Sequence, residues 1–445
     1  MTTDAQAKLR QAIRLPHATA MVVGTIIGAS IFVQPSEITG QVPSITGVLL
    51  VWLVAGVLTM FGALVCAELA SIFTQSGGVY VYLKEAYAPP VGFLWGWAMF
   101  WSMHSGIIAA IGVIFARYTS YFLPMGDLAI KAVAIGVILL LSAINYLGVK
   151  QGSTLQALFT LGKLIAILLI IVLGFAFGSR LPEHFVASSS ATGGVSVSQF
   201  GTALVAGLFA FGGWHMVTYN SEETVDSRRT IPRALVIGTI IVTVSYIAMN
   251  TVYLYILPLD TVASSTRVAA DAADAVIGFG GGALLSAIVM FSTFGALSGI
   301  ILSGPRVYYS MARDGLLFRW AGDIHPKYRT PHRAIVLQAV WSSILVGTGT
   351  FRVLFTRVVY TEWIFFALMA AGLVLLRRRT DLQRGYEVWG YPLMPAIFVL
   401  SSLAIVANQI VADPGESFFG LSLVLLGLPV YYLWTRKGTP KDTSS

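Results

Sequence analysis

Gly24-Thr25-Ile26-Ile27-Gly28-Ala29-Ser30 and Phe209-Ala210-Phe211-Gly212-Gly213-Trp214 each interrupt a long apolar run. Two adjacent glycines in mid-helix cost about 1 kcal/mol each against alanine and make no packing stripe, so Gly212-Gly213 reads as a deliberate break. Gly24 and Gly28 sit four residues apart, which also suits close helix packing, and for that pair both readings stand.

The runs around these breaks place the chain in lipid. Hydrophobic residues make up 56% of 445 and charged residues 11%, a balance that a water-soluble fold could not solvate. A helical span needs about 20 apolar residues. About twelve such runs begin near residues 17, 45, 90, 130, 154, 200, 234, 283, 334, 358, 394 and 417. They are too long, and too rich in Leu, Ile, Phe and Gly, for the alternating strands of an outer-membrane barrel. The expected fold is therefore an all-α membrane protein, a single transmembrane domain over 1–445. The loops near 74–89, 178–199, 259–281 and 313–333 are too short to be domains. The polar start, Met1 to His17, runs into apolar sequence without a small-residue cleavage site, so no removed signal peptide is expected.

The net charge of +8 is read through its placement. With the N-terminus inside, inner loops and helix ends collect Arg14, Arg228, Arg229, Arg233, Arg313, Arg319, Arg377, Arg378, Arg379 and Arg436, among others. The outer side keeps Arg117, Lys131, Arg180, Arg267, Arg352 and Arg357. This follows the positive-inside rule and predicts a multi-pass protein of the cytoplasmic membrane with both termini cytoplasmic. The basic balance then needs no nucleic acid. Cys66 is the only cysteine, which rules out an intramolecular disulfide and argues against a cysteine metal site.

The two breaks lie five runs apart. An odd offset reverses direction, so runs 1 to 5 and 6 to 10 are expected as halves of inverted topology, with helices 1 and 6 unwound at the midplane and two helices following. In hydrocarbon an unwound stretch survives only where it lines a cavity or a ligand site. Backbone N–H groups at the start of a half-helix suit a carboxylate, and freed carbonyls suit an ammonium. Together they would recognise a zwitterion, of which an α-amino acid is the smallest common example. The expected site comprises Ile26, Ile27, Gly28, Ala29 and Ser30 with Phe209, Ala210, Phe211 and Gly212. The amides of Gly28, Ala29 and Ser30 would take the carboxylate, and carbonyls near Ile26, Ile27, Phe209 and Phe211 the amino group.

Lys163 lies deep in the fifth run, where a lysine costs about 2.5 to 3.5 kcal/mol on insertion scales. Set against the carbonyls of the first break, its ammonium would do the work of a sodium ion. Snorkelling or quiet pairing within the bundle is the weaker alternative.

The motifs GTIIGASIF (24–32), GALVCAEL (62–69), SGGVYVYLKEAY (76–87), FAFGGWHMVTYNSEE (209–223), IPRALVIG (231–238), STFGALSG (292–299) and RVYYSMARDG (306–315) resemble the L-amino-acid transporter (LAT) family of the amino acid-polyamine-organocation superfamily. The similarity runs through nearly the whole chain. It implies a 5+5 inverted repeat plus two helices, with helices 1, 2, 6 and 7 rocking against 3, 4, 8 and 9. Lys163 matches the family's fifth-helix lysine, which stands in for sodium. Phe209 matches the aromatic that closes over substrate, and Tyr246 the seventh-helix tyrosine near that lysine, while Ser292 on helix 8 is a weaker supporting candidate. For Phe209 and Tyr246 simple packing is the alternative.

Glu222 and Glu223 match paired glutamates and are expected as an inner gate or helix-end salt bridge. Glu68 is expected to pair with a basic residue on the inner side. Two departures from the family pattern stand out. Ala29-Ser30 replaces the frequent Ser-Gly, and His215 follows the Gly-Trp pair where relatives carry Asn, Asp or an aromatic. His215 is a candidate for tuning substrate choice, although a lone membrane histidine, like His104, more often satisfies local hydrogen bonds. Animal light chains of the family hold a glycoprotein heavy chain through a loop cysteine after helix 3. The stretch after helix 3 here has none, so no disulfide-linked heavy chain is expected.

The resulting expectation is a sodium-independent carrier of neutral L-amino acids, an exchanger or uniporter working by alternating access, as a monomer or dimer, with no cofactor and no metal. Proton-coupled symport is the alternative within transport, and a membrane solute sensor is the alternative from another class. The sequence contains no H-E-x-x-H and no paired intramembrane carboxylates, so an enzyme is not expected.

Overall fold

The computed structural model describes residues 8–178, 195–265, 267–278, 280–350, 358 and 360–438. Among these the chain is helical, and its one β-type contact is the isolated parallel bridge between Ile13 and Thr224. Twelve helical segments, numbered here as spans, follow in order, and among the described residues ten of them, with one bent pair taken as a single span, are long and apolar enough to cross a membrane. Span 1 is the bent pair Leu15–Ile26 and Ser30–Gln41, whose axes differ by 47°. Spans 2 to 8 are Ile45–Ile72, Pro89–Thr119, Asp127–Leu147, Val149–Phe177, Val197–Glu223, Ser227–Ile256 and Gly281–Arg313. Spans 9 and 10 are the shorter helices His332–Thr348 and Thr361–Leu376. Spans 11 and 12 are Leu393–Ala412 and Pro414–Arg436. Each lies where an apolar run was expected.

The loops hold more helix than the sequence suggested. The segment near 74–89 contains Val79–Ala86, and that near 259–281 contains Leu259–Ser264 and Val268–Ile277. Most of the Ser- and Gly-rich loop near 178–199 lies outside the described residues, as do Arg180, Arg352 and Arg357.

Local signals fix several helix ends. Ser44 Oγ accepts from the Gly47 amide at the start of span 2. Ser196 and Gln199 form a reciprocal capping box at the start of span 6, which satisfies amides that hydrocarbon would leave unpaired. Leu158, Leu168 and Leu400 point outward, between 58 and 67% exposed. Such a surface is stable only against lipid tails.

Two sets of spans pack within themselves. Span 7 lies along span 2 and the first half of span 1, and the second half of span 1 lies against span 6. Spans 3, 4, 8 and 9 form the other set, with span 5 bridging both through span 1 and span 8.

The end carrying Arg228, Arg229, Arg313 and Arg377 is called the basic end here. Glu68, fully buried near the end of span 2, is held there by Arg377. Arg377 Nε donates to Oε1 at 2.8 Å and a terminal nitrogen to Oε2 at 2.6 Å, and the Val388 amide adds a third bond at 2.7 Å. Glu68 thus pairs with basic residues as expected, and it ties span 2 to the segment that joins spans 10 and 11. Replacing it with alanine strands the Arg377 guanidinium and an amide. We expect Glu68→Ala to cost on the order of 2 kcal/mol, read as a lower melting temperature in detergent by tryptophan fluorescence, whereas an unchanged melting curve would mean that this tether contributes nothing.

Candidate functional site

The two breaks meet. The helix Leu15–Ile26 ends at Ile27, whose amide still donates to the Val23 carbonyl, and a new helix starts at Ser30 after a turn through Gly28 and Ala29. In span 6 the α-helix stops at Ala210. The chain then turns at Gly213, with φ +99°, and continues from Trp214 to Glu223 as a tighter 3-10 helix rather than as a second α-helical half. Thr25 Oγ1, whose one proton lies closest to the Met21 carbonyl at 2.7 Å, is also 3.2 Å from the Gly213 carbonyl, so the two breaks touch there.

Freed peptide groups divide into those with partners and those without. Lys163 Nζ, on span 5, donates to the carbonyls of Ile27 at 2.6 Å, Gly24 at 3.1 Å and Ser292 at 3.1 Å. Its three protons are thereby used, on the negative end of a helix dipole. Lys163 is 2% exposed and, among the described residues, no carboxylate forms an ion pair with it. The Tyr246 hydroxyl sits between the breaks, its one proton shared between the Ile26 carbonyl at 3.2 Å and the Ala210 carbonyl at 3.1 Å. Ser292 Oγ donates to the Gly28 carbonyl at 3.1 Å. Lys163, Tyr246 and Ser292 therefore converge on the breaks.

What remains is an amide set and a carbonyl set. The N–H groups of Gly28, Ala29 and Ser30 donate no hydrogen bond among the described residues, and the carbonyls of Phe211 and Gly212 accept none. Of the four carbonyls expected to take an amino group, those of Ile26, Ile27 and Phe209 already have donors. Phe211 keeps its carbonyl free while its ring is buried against Trp52 and Tyr246, with centroids 6.4 and 5.0 Å away.

Accessibility gives the cleft a direction. Gly212 is exposed, Ala29, Ser30 and Gly213 are half-buried, and the Phe209 ring is 43% exposed. A glycine backbone bare at mid-span cannot face hydrocarbon, so this surface lines a cleft. Toward the basic end, Trp214 to Ser221 are all buried.

Beyond that plug, Glu223 and Arg306 are both fully buried and joined by two bonds, Nε to Oε2 at 2.7 Å and a terminal nitrogen to Oε1 at 2.8 Å. A further guanidinium nitrogen donates to the Leu302 carbonyl. The Ala12 and Ile13 amides donate to the Glu223 carbonyl at 2.9 and 3.0 Å. Glu222 lies farther out, 3.4 Å from Arg313. It lines a polar vestibule of about 1120 Å³ that opens at the basic end.

Three participants were not picked out in the sequence. Thr25 lay inside a quoted motif, and nothing in one sequence marks its hydroxyl as the clasp. Arg306 and Glu362 did carry a signal, since each is a charge in an apolar run. The two histidines behave differently from each other. His104 Nε2 is 2.9 Å from the Ile300 carbonyl, as a locally satisfied histidine should be. His215 has no hydrogen bond at either ring nitrogen, which departs from the expectation, and its Nε2 lies 3.6 Å from Glu362 Oε1. Among the described residues no cluster of His, Cys, Asp and Glu has the arrangement of a metal site.

Comparison with known proteins places the chain beside amino acid permeases. The amino acid permease family model matches residues 13–428. The chain is 33% identical over 428 residues to the serine/threonine exchanger SteT of Bacillus subtilis, covering 95% of this chain and 97% of that one. It is 30% identical to the human b(0,+)-type amino acid transporter 1, covering 96% of this chain and 88% of that one. It is 29% identical to the human large neutral amino acids transporter small subunit 2, with 96 and 82% covered.

The turn at Gly213 depends on a missing side chain. A Cβ there would sit 3.1 Å from the Thr25 carbonyl, at a φ that L-residues avoid. Gly213→Ala should destabilise the protein by about 1–2 kcal/mol, seen as a lower melting temperature. A variant that melts like the parent would show that the chain does not turn this way.

Proposed function

The chain belongs to the amino acid permease family, as its LAT-type motifs indicated, and on that premise we propose that it is a sodium-independent amino acid exchanger working by alternating access. The observation that carries this reading is that unbonded amides at Gly28, Ala29 and Ser30 and unbonded carbonyls at Phe211 and Gly212 lie on two breaks that approach each other at Thr25 and Gly213. The amide set accepts an α-carboxylate, and the carbonyls accept an α-ammonium. Both groups belong to every α-amino acid, so the cleft holds the common part of the substrate.

Lys163 takes the role of a fixed cation. Its ammonium holds the carbonyls of the first break in the arrangement that a bound sodium ion would otherwise impose, so transport needs no sodium gradient. Tyr246, Ser292 and Thr25 hold the remaining turns, and Phe209 closes over the cleft.

The basic end is cytoplasmic, in keeping with the distribution of Arg and Lys. The form described here is then open outward, with Glu223 and Arg306 sealing the inner side. Opening inward requires that pair and the contacts of residues 12 and 13 to separate while spans 1, 2, 6 and 7 move against spans 3, 4, 8 and 9, within two inverted five-helix halves. Transport through an obligatory substrate-bound closure favours exchange, and relatives include a named exchanger. Cys66 is buried in span 2, which supports function without a disulfide-linked heavy chain.

The test is uptake of labelled amino acids into proteoliposomes, with and without unlabelled amino acid inside and under imposed sodium or proton gradients. Exchange predicts uptake that depends on internal amino acid and ignores both gradients. Uptake driven by protons into empty vesicles would replace this reading with proton symport. Lys163→Ala should lower exchange at least about tenfold through the lost charge-assisted bonds, at unchanged expression and monodispersity. Full exchange in that variant would remove the fixed-cation role.

A further inference from the structure

Spans 3, 9 and 12 enclose a groove on the outer face of the bundle. It consists of two hollows, of about 480 and 330 Å³, that share Trp97, Trp101 and Trp341 as walls. Its rim is open, with Trp101, Val340 and Ile344 between 40 and 50% exposed. All three lie mid-span, against hydrocarbon, so whatever fills the groove there is apolar.

The walls are pinned from behind. The Trp97 indole N–H donates to the Leu423 carbonyl at 3.1 Å, that of Trp341 to the Trp101 carbonyl at 3.2 Å, and that of Trp434 to the Gly315 carbonyl at 2.9 Å. Each bond crosses between elements and spends the only polar group of its ring on the protein. What these rings offer the groove is carbon. The Trp101 centroid lies 5.5 Å from that of Trp97 and 4.8 Å from that of Trp341, so the wall is one aromatic surface, set before any ligand arrives.

Span 3 contributes to that wall through a π-helical turn, Met99–Met103. The turn buries Met99 and Met103 in the bundle and presents Phe100 and Trp101 to the groove. Such turns are uncommon and gather at functional sites.

Length and charge identify the occupant. From Leu423 to Trp434, both of which line it, span 12 follows the groove for about 16 Å at 1.5 Å per residue. Half of a hydrocarbon core about 30 Å thick is about 15 Å, the depth that one acyl chain occupies in its leaflet. The groove also has a definite outer end. Trp434 meets Phe318 edge to face at 4.9 Å, and Phe318 stacks on Trp320 at 5.9 Å, an aromatic set of the kind found at a membrane interface. Arg319 adjoins Phe318, and Arg436 follows Trp434 by one turn's worth of chain or less. Both arginines are exposed, and neither forms an ion pair among the described residues. The neighbouring Arg313 and Arg333, by contrast, are matched by Glu222 and Asp323. Two unmatched cations at the interface, above a groove one acyl chain deep, complement a lipid whose head is negative.

We propose that this groove seats one anionic phospholipid of the basic-end leaflet, with an acyl chain along Trp97, Trp101 and Trp341 and the phosphate of its head held by Arg319 and Arg436. Bound there, the lipid fastens span 12 to spans 3 and 9. None of these residues belongs to the breaks, so the proposal stands apart from the reading of the transport site.

The test is native mass spectrometry of the purified, delipidated protein in detergent, titrated with dioleoyl phosphatidylglycerol or dioleoyl phosphatidylcholine, which share their chains and differ in head charge. The first lipid bound should be phosphatidylglycerol by about tenfold or more, since one basic residue near an anionic head is worth about fivefold. In the double variant Arg319→Gln, Arg436→Gln that preference should fall toward one. A ratio read within one variant is not imitated by partial misfolding. Val340→Trp and Ile344→Trp, each filling the groove from its exposed rim, should weaken binding of both lipids together. Glycerol 3-phosphate, a head without chains, should not compete. Equal first-site affinity for the two lipids in the wild-type protein overturns the proposal, as does an unchanged preference in the double arginine variant, unchanged lipid binding in both rim variants, or competition by glycerol 3-phosphate. A wild-type dimer that the rim variants dissociate also overturns it, by giving the groove to a second copy of the chain.

Discussion

A peptide group inside hydrocarbon must find a hydrogen-bond partner, and two spans of this protein break their ladders at the same depth. The rest of the structure is organised by how that debt is met. Thr25, Lys163, Tyr246 and Ser292 come from four different spans, and each brings a donor within hydrogen-bond distance of a carbonyl at the breaks. They meet only part of the demand. Three amides on one side and two carbonyls on the other stay open, next to the turn at Gly213, and on the proposed reading a zwitterion completes the bonding there. Binding and local folding of the breaks are on this view the same event, which gives a substrate the leverage to bias one conformation over another.

The two faces of the bundle differ in how they could release such a ligand. On one side the breaks are open at Gly212 and Phe209. On the other, a layer of buried side chains from Trp214 to Ser221 is backed by the Glu223–Arg306 pair and by the N-terminal residues bonded to Glu223. A bidentate ion pair with no solvent contact is strong evidence of a closed contact, since separating its members without rehydration costs several kcal/mol, roughly 3 to 5. Opening toward the vestibule must therefore admit water to both groups, and the polar vestibule beyond them supplies it.

The fold was largely legible in the sequence because its signals are local. Each of the twelve apolar runs is helical, ten of them long and apolar enough among the described residues to cross a membrane, and Gly212-Gly213 announced a break whose glycine geometry is evident at Gly213. Lys163 was legible for the same reason, as a charge that lipid would reject. Less was readable where a role depends on what another span brings near. Nothing at Thr25 reveals that it reaches Gly213. Which carbonyls stay free was misjudged, because Ile26 and Ile27 lie at the break but are consumed by Tyr246 and Lys163, leaving Phe211 and Gly212. Arg306 and Glu362 were visible as charges in apolar runs, yet Glu223, which pairs with Arg306, and His215, 3.6 Å from Glu362, sit 83 and 147 positions away in the chain, a proximity that one sequence does not encode. The winding of Trp214–Glu223 as a 3-10 helix was likewise set by packing rather than by propensity.

Main-chain recognition of both α-groups can be examined directly by ligand-induced stabilisation of the purified protein, which grows with occupancy and reaches about 2.7 kcal/mol at a hundredfold excess over Kd. A free amino acid that is exchanged should raise the melting temperature, while its N-acetyl derivative and its methyl ester, each lacking one α-charge, should leave it unmoved at the same concentration. Equal stabilisation by either derivative would contradict the assignment of the open amides and carbonyls to the two ends of a zwitterion.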